Sequence, residues 1–438
     1  MNYAIYAGFN LILSVIFLIG IFKIYKGTAY LYTQILNLYA FSLIFISLLV
    51  LESGGFYITE SFNYSYINGA ALLLALFGFF FFFLLKVFIQ LLSSIGGSIF
   101  RQKKIKSSQK KYLARLVLFT VQLSLLALVV NLLLSPVPFF SDEVTRINFW
   151  DYAVFPVLGS VFGETSLPVA IALGVIFNFY GLNNKQSLRN YTLFTFWIYV
   201  LYLFLLGHKF SAQILAFFFF WLPFMLNTRP PFKQLLKIIF FGLALGMLYV
   251  LYVYSNIDSG IVNEYGGATG GALYRIFILQ GHVFWNMFNH LDMLGDMSYE
   301  NMIWLLNNKL YGLELAMHIV SPGFAEEYLE SGLRFTAGFP AFLFATPLLF
   351  SVVFSMGMMF FYAAVLVRVM NLINSGSIAR LSIYIYILYF FHFGFSMGDF
   401  RFLFSIKLLA LMILSILIEL ILLISVDGEN HNNEVSDG

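Results

Sequence analysis

The stretch YINGAALLLALFGFFFFFLLKVFIQ, residues 66–90, carries one charge, Lys86, in twenty-five residues. A helix rises about 1.5 Å per residue, so this run is long enough to cross the about 30 Å of hydrocarbon in a bilayer with some tilt. Backbone N–H and C=O groups in lipid have no water to bond, so the run must pair its own as a helix. The rest of the chain has the same character: 61% of its 438 residues are hydrophobic and 10% are charged. A mean hydropathy of +0.88 lies far from the range of soluble domains.

Working outward from residues 66–90 gives about eleven such runs, at 3–22, 31–51, 66–90, 113–134, 166–180, 191–206, 212–226, 236–255, 342–367, 381–397 and 403–424. The fifth is short for a full crossing. No basic region precedes the first run, whose earliest cation, Lys23, follows it; the run therefore reads as a retained span and not as a cleaved leader. Residues 1–425 form one transmembrane domain, 256–341 a large loop inserted within it, and 426–438 a polar tail expected to be disordered.

Charge orients the spans. Lys23, Lys26, the seven basic residues from Arg101 to Arg115, Lys185, Arg189, the cluster from Arg229 to Lys237, Arg368 and Arg380 fall on one side if eleven spans alternate. These are sixteen of the 24 basic residues, and the excess marks that side as cytoplasmic. The N-terminus then lies outside and the C-terminal tail inside. Segment 256–341 is too long for a plain connection, which makes it the expected functional element.

Seven basic residues remain on the outer side: Arg146, Lys209, Arg275, Lys309, Arg334, Arg401 and Lys407. Lys209 stands in the turn Gly207-His208-Lys209-Phe210-Ser211 between two spans, where a cation is costly unless it is paired, snorkels or lines a wet cavity. Gly398-Asp399-Phe400-Arg401 is equally tight, and its arginine reads either as a ligand-binding group or as an internal partner of Asp399. Arg334 precedes span nine in Gly332-Leu333-Arg334-Phe335-Thr336-Ala337-Gly338-Phe339-Pro340. From Gly271 to Met293 the periodicity predicts an interfacial helix, with Tyr274, Phe277, Phe284, Trp285 and Phe288 on one side and Arg275, His282, Asn286 and Asn289 on the other.

Guanidinium groups pair with phosphate oxygens in a bidentate manner, so several of them at a lipid boundary suit a lipid diphosphate. Arg275, Arg334, Lys209, Arg146 and Arg401 are the candidate pyrophosphate-binding residues. Such cations can also stabilise charge that develops on a leaving pyrophosphate. A general base that takes a proton from an attacking sugar hydroxyl is sought on the same side, with His282 first and Glu164, at the mouth of span five, second. The six histidines form no HxxxH and the chain has no DxD or Gly-rich nucleotide loop, so neither a metal nor another cofactor is expected. The chain has no cysteine, which removes disulfides, thiolate sites and a cysteine nucleophile.

On Gly207 to Ser211, Arg275 with Gln280-Gly281-His282, and Arg334 to Pro340, together with the whole architecture, the chain resembles the Wzy-type O-antigen or capsule repeat-unit polymerases. The resemblance implies an all-α polytopic fold, GT-C-like, with a large periplasmic loop. It implies transfer of a glycan from undecaprenyl pyrophosphate to a sugar hydroxyl of a second lipid-linked repeat unit, at the periplasmic face of a bacterial inner membrane. The implied partners are the lipid-linked oligosaccharide, the lipid bilayer and a chain-length regulator membrane protein, with no nucleic acid. Some members carry an arginine followed after ten residues by glycine in two outer loops; Arg146, Arg275 and Arg334 lack that glycine, so the candidate residues rest on their own chemistry. An O-antigen ligase shares the donor and a similar plan, and a flippase of lipid-linked oligosaccharides is the transporter alternative.

Overall fold

The structure is a computed structural model that describes residues 3–58, 61–99, 107–141, 144, 148–162, 166–207, 210–230, 267–291, 296–330, 339–375, 377–414 and 417. Apolar runs become helices in the order α1 (Tyr3–Tyr25), α2 (Tyr30–Glu52), α3 (Ala70–Ile99), α4 (Ser107–Leu134), α5 (Phe149–Tyr152), α6 (Val157–Phe162), α7 (Leu167–Leu182), α8 (Gln186–Leu205) and α9 (Phe210–Thr228). After the first part of the long loop come α10 (Ala268–Phe277), α11 (His282–Asn289), α12 (Ser298–Asn307), α13 (Gly312–Val320) and α14 (Ala325–Glu330). Two long helices follow, α15 (Leu348–Ser375) and α16 (Ile378–Met397). The described residues hold one small sheet, a hairpin of β1 (Tyr57–Ile58) and β2 (Asn63–Tyr64).

Among the described residues six helices, α2, α3, α4, α8, α15 and α16, are long and apolar enough to cross a membrane, and shorter apolar helices lie at Leu11–Tyr25, Leu167–Leu182 and Ala212–Thr228. Nine of the expected runs thus coincide with helices. The eighth, 236–255, lies outside the described residues, and the eleventh is described only as a short 3-10 turn at Arg401–Phe404 and a helix from 406. The ninth begins later than its apolar pattern suggests. Ala341–Ala345 is a buried 3-10 segment, and α15 starts at Leu348 because Pro347 supplies no N–H and keeps Thr346 extended.

At sixteen residues α7 is short for a crossing, about 24 Å, yet it is buried almost throughout and packs against α4, α8, α9 and α16. Gly174 makes this possible, because a Cβ there would sit 2.3 Å from the Phe220 carbonyl oxygen of α9. Phe196 of α8 then stacks on Phe220, with ring centroids 3.9 Å apart. Helix packing in lipid gains little from the hydrophobic effect, so close approach of this kind carries the contact.

The expected helix over Gly271 to Met293 is two helices, with a break at Ile278–Gly281. Tertiary contact overrides the periodicity here. Gly281 lies against the backbone of α2, where a Cβ would be 2.9 Å from Ser47 Oγ and 3.0 Å from Leu48 N. Ser47 Oγ closes the seam by donating to Ile278 O at 2.8 Å and accepting from Gly281 N at 2.8 Å. Helices α10 and α11 are thereby docked on α2, and Trp285 Nε1 donates to Tyr66 O, at 3.3 Å, just before α3. Asn68 donates to Asn289 Oδ1 at 2.6 Å on the same side.

A second seam ties α12 and α13 to the end of α16. Gly312 N donates to Gly398 O at 2.8 Å, Phe400 N donates to Leu310 O at 3.3 Å, and Tyr311 and Asp399 form an antiparallel bridge. Phe339, Phe342, Phe354, Phe395 and Phe400 fill the space beneath with edge-on ring contacts. The helices of the loop are seated on the ends of α2, α3, α15 and α16 opposite to Lys26, Arg368 and Arg380.

Candidate functional site

Of the seven candidate residues, Glu164, Arg146, Lys209 and Arg334 lie outside the described residues. His282, Arg275 and Arg401 are described, and the fold sends them into three different settings.

His282 opens α11 immediately after the break and is 1% exposed. Its Nδ1–H donates to Leu279 O at 2.8 Å, which fixes the ring and leaves Nε2 as the acceptor in the neutral tautomer. Asn286 is buried behind it and donates to the His282 carbonyl at 3.0 Å. The face expected to meet headgroups therefore points inward at His282 and Asn286. Arg275, on the last turn of α10, is exposed, and Gln280 folds back to donate to its carbonyl at 3.1 Å. The four-residue break rotates α11 away from the register of α10, so the two residues do not share one helix face.

Arg401 follows the turn at Gly398, whose φ of 72° suits glycine. Its Nε and Nη2 donate to Asp399 Oδ1 and Oδ2 at 2.9 and 2.8 Å, and Cζ lies 3.5 Å from the centroid of the Tyr311 ring. Burial works against the charge, but the hydrogen bonds and charge of Asp399, with Tyr311 and Glu314 adding to them, hold the guanidinium above its ordinary pKa. Of the two readings of this turn, the internal Asp–Arg pair is the one seen. Only the Nη1 side of Arg401 is left for a ligand.

A polar cluster that the outer-loop residues do not predict lies inside the bundle. Asn37 Nδ2 donates to Gln34 Oε1 at 3.1 Å and to Tyr362 Oη at 2.9 Å, and Gln34 Nε2 donates to Tyr362 Oη at 3.1 Å. His392 Nδ1 lies 2.8 Å from Asn37 Oδ1 and donates to it. Helices α2, α15 and α16 are joined in this way at least one turn inside their ends. The signal was available: Gln34 and Asn37 are i, i+3 in an apolar run, and polar side chains in spans are costly and face the bundle interior.

Above the cluster is a cavity of about 40 Å³ lined by Asn37, Phe41, Phe81, Phe339, Phe395 and Ser396 among others. It is far smaller than the several hundred Å³ of a typical ligand pocket, so this space is a packing gap beside the network. Replacing Asn37 by Leu removes three hydrogen bonds. At about 0.6 kcal/mol for each polar pair inside a membrane protein, the expected loss is about 2 kcal/mol. A double-mutant cycle with Tyr362→Phe, read by denaturant unfolding in micelles, should show non-additive losses; strict additivity would mean that the two side chains are not coupled.

Among the described residues no group of three or more metal-ligating side chains converges. Residues 307–412 match a protein family described as a family of unknown function (DUF6418). No curated protein and no solved structure matches the chain. The matched segment is about a quarter of the chain and contains both strands of the α13–α16 seam, the Asp399–Arg401 pair, Tyr362 and His392. In that segment, from the end of α12 through α16 and into the helix beyond, the chain is similar to this family of unknown function.

Proposed function

We propose that this protein is a membrane-embedded glycosyltransferase that uses a polyprenyl-pyrophosphate-linked oligosaccharide, joining repeat units as a Wzy-type polymerase does. Its N-terminus then faces the periplasm and its C-terminal tail the cytoplasm, in a bacterial inner membrane. The observation that carries the reading is a set of short helices docked on the span ends away from the basic segments, with Arg275 exposed upon it. An exposed guanidinium at that level suits a diphosphate headgroup, and no residue there needs to bind a nucleotide. His282, its ring oriented by the Nδ1 bond, remains a candidate base only where the acceptor hydroxyl gains access to its buried Nε2, and Glu164 is the other candidate.

The test is the polysaccharide ladder of the source organism on a stained gel. A strain that lacks the protein should collapse to core plus one repeat, and Arg275→Ala should do the same while remaining in the membrane at normal level. A full ladder in the deletion strain would sink the polymerase reading. Loss of even the single-repeat band would turn the assignment to the ligase or flippase alternative.

A further inference from the structure

Helix α12 is amphipathic in an unusual sense, since part of its apolar side faces outward. Asn301 and Leu305 are buried, whereas Tyr299, Ile303 and Leu306 are 69%, 55% and 52% exposed. Spacings of four and three put these three side chains on one stripe, and Glu300 and Asn307 border it as exposed polar residues. Monomeric proteins in water seldom leave such a stripe bare.

The position of the helix says what covers it. Its C-terminal end is pinned by the Leu310–Phe400 and Gly312–Gly398 hydrogen bonds to the turn that ends α16, one of the membrane-length helices. At that same level Leu348 and Leu349 open α15 at 80% and 77% exposure, Phe404 closes the 3-10 turn at 62% and Ile406 opens the next apolar helix at 85%. Those residues belong to the lipid-facing surface of the spans. The stripe on α12 is held at the end of α16 by those hydrogen bonds, and exposed Lys309 just past its end is long enough to snorkel to headgroups.

We propose that α12 is an interfacial helix that lays Tyr299, Ile303 and Leu306 into the lipid surface at the outer ends of the spans, anchoring the loop assembly to the bilayer. The periodicity of residues 271–293 predicts an interfacial helix there, but α11 from that stretch is buried against α2, whereas α12 turns an apolar stripe outward. Partial burial of an apolar face with a polar flank at the headgroups is the geometry of such helices. This inference rests on the membrane reading and is independent of the glycosyltransferase assignment.

The cysteine-free chain allows a direct test, since each introduced thiol is the sole labelling site. Tyr299→Cys, Ile303→Cys and Leu306→Cys would be spin-labelled in the full chain, reconstituted in phospholipid vesicles, and collision rates with oxygen and with a water-soluble nickel chelate compared. Phe361→Cys on the exposed side of α15 reports lipid, and Glu327→Cys on α14 reports water. The oxygen-to-nickel ratio at 303 and 306 should match that at 361 and exceed that at 327 several-fold. A ratio equal to that at 327 overturns the proposal. So does dipolar broadening at 303 that vanishes on dilution with unlabelled protein, which would place a second copy on the stripe.

Discussion

Gly174→Leu is expected to abolish recovery of folded, monodisperse protein after extraction in mild detergent. The cause is backbone and not side chain. A Cβ at 174 meets Phe220 O at 2.3 Å and Phe220 C and Cα at 2.8 Å, so no rotamer change in a neighbour relieves the clash. Helix α7 would have to move off α9, and because α7 also touches α4, α8 and α16 the whole set of contacts opens. Overpacking that side chains can absorb costs about 1–3 kcal/mol, and a clash with a helix backbone exceeds that. Against a total stability of about 5–15 kcal/mol this removes a large share. Gly357→Ala on α15 is the control. Its Cβ meets nothing within 4 Å, so the better helix former should leave melting temperature unchanged or raise it. Normal melting of Gly174→Leu would refute the packing described for α7.

The second large effect is expected at the seam between α13 and α16. Arg401→Ala leaves Asp399, 2% exposed, with its carboxylate stripped of two hydrogen bonds and of its counter-charge. Breaking a fully buried pair from one side costs about 3–5 kcal/mol. Here the arginine is 40% exposed, so solvent screens part of the interaction and about 2–3 kcal/mol is the expected loss. The double variant Arg401→Ala with Asp399→Asn removes the uncompensated charge and should recover part of that loss. Arg401→Lys should not restore full stability, because an ammonium cannot reproduce the two-pronged contact or the stacking on Tyr311. Limited proteolysis within 296–330 offers an independent readout, since the Leu310–Phe400 bond holds that segment to the bundle. Unchanged cleavage and unchanged unfolding in Arg401→Ala would mean that the pair contributes nothing to the seam.

The two seams explain where reasoning along the chain succeeded and where it failed. Run 66–90 reads as a helix because length and apolarity are properties of one contiguous segment, and α3 is that helix. The Asp399–Arg401 pair was visible as one of two options because its partners are two residues apart. The supposed helix 271–293 failed for the opposite reason. Its periodicity is real, yet Gly281 is spent on approaching Ser47, 234 residues away, and that contact turns His282 inward while Arg275 stays exposed.

The long apolar helices are legible in the sequence alone, because each depends on the length and apolarity of one contiguous segment. Tertiary structure alone decided which polar groups meet. His392 and Asn37 are 355 residues apart, and nothing in either neighbourhood announces the other until α2 and α16 pack. The same holds for α12, whose outward apolar stripe gains its meaning from the bonds that pin its end to the turn after α16.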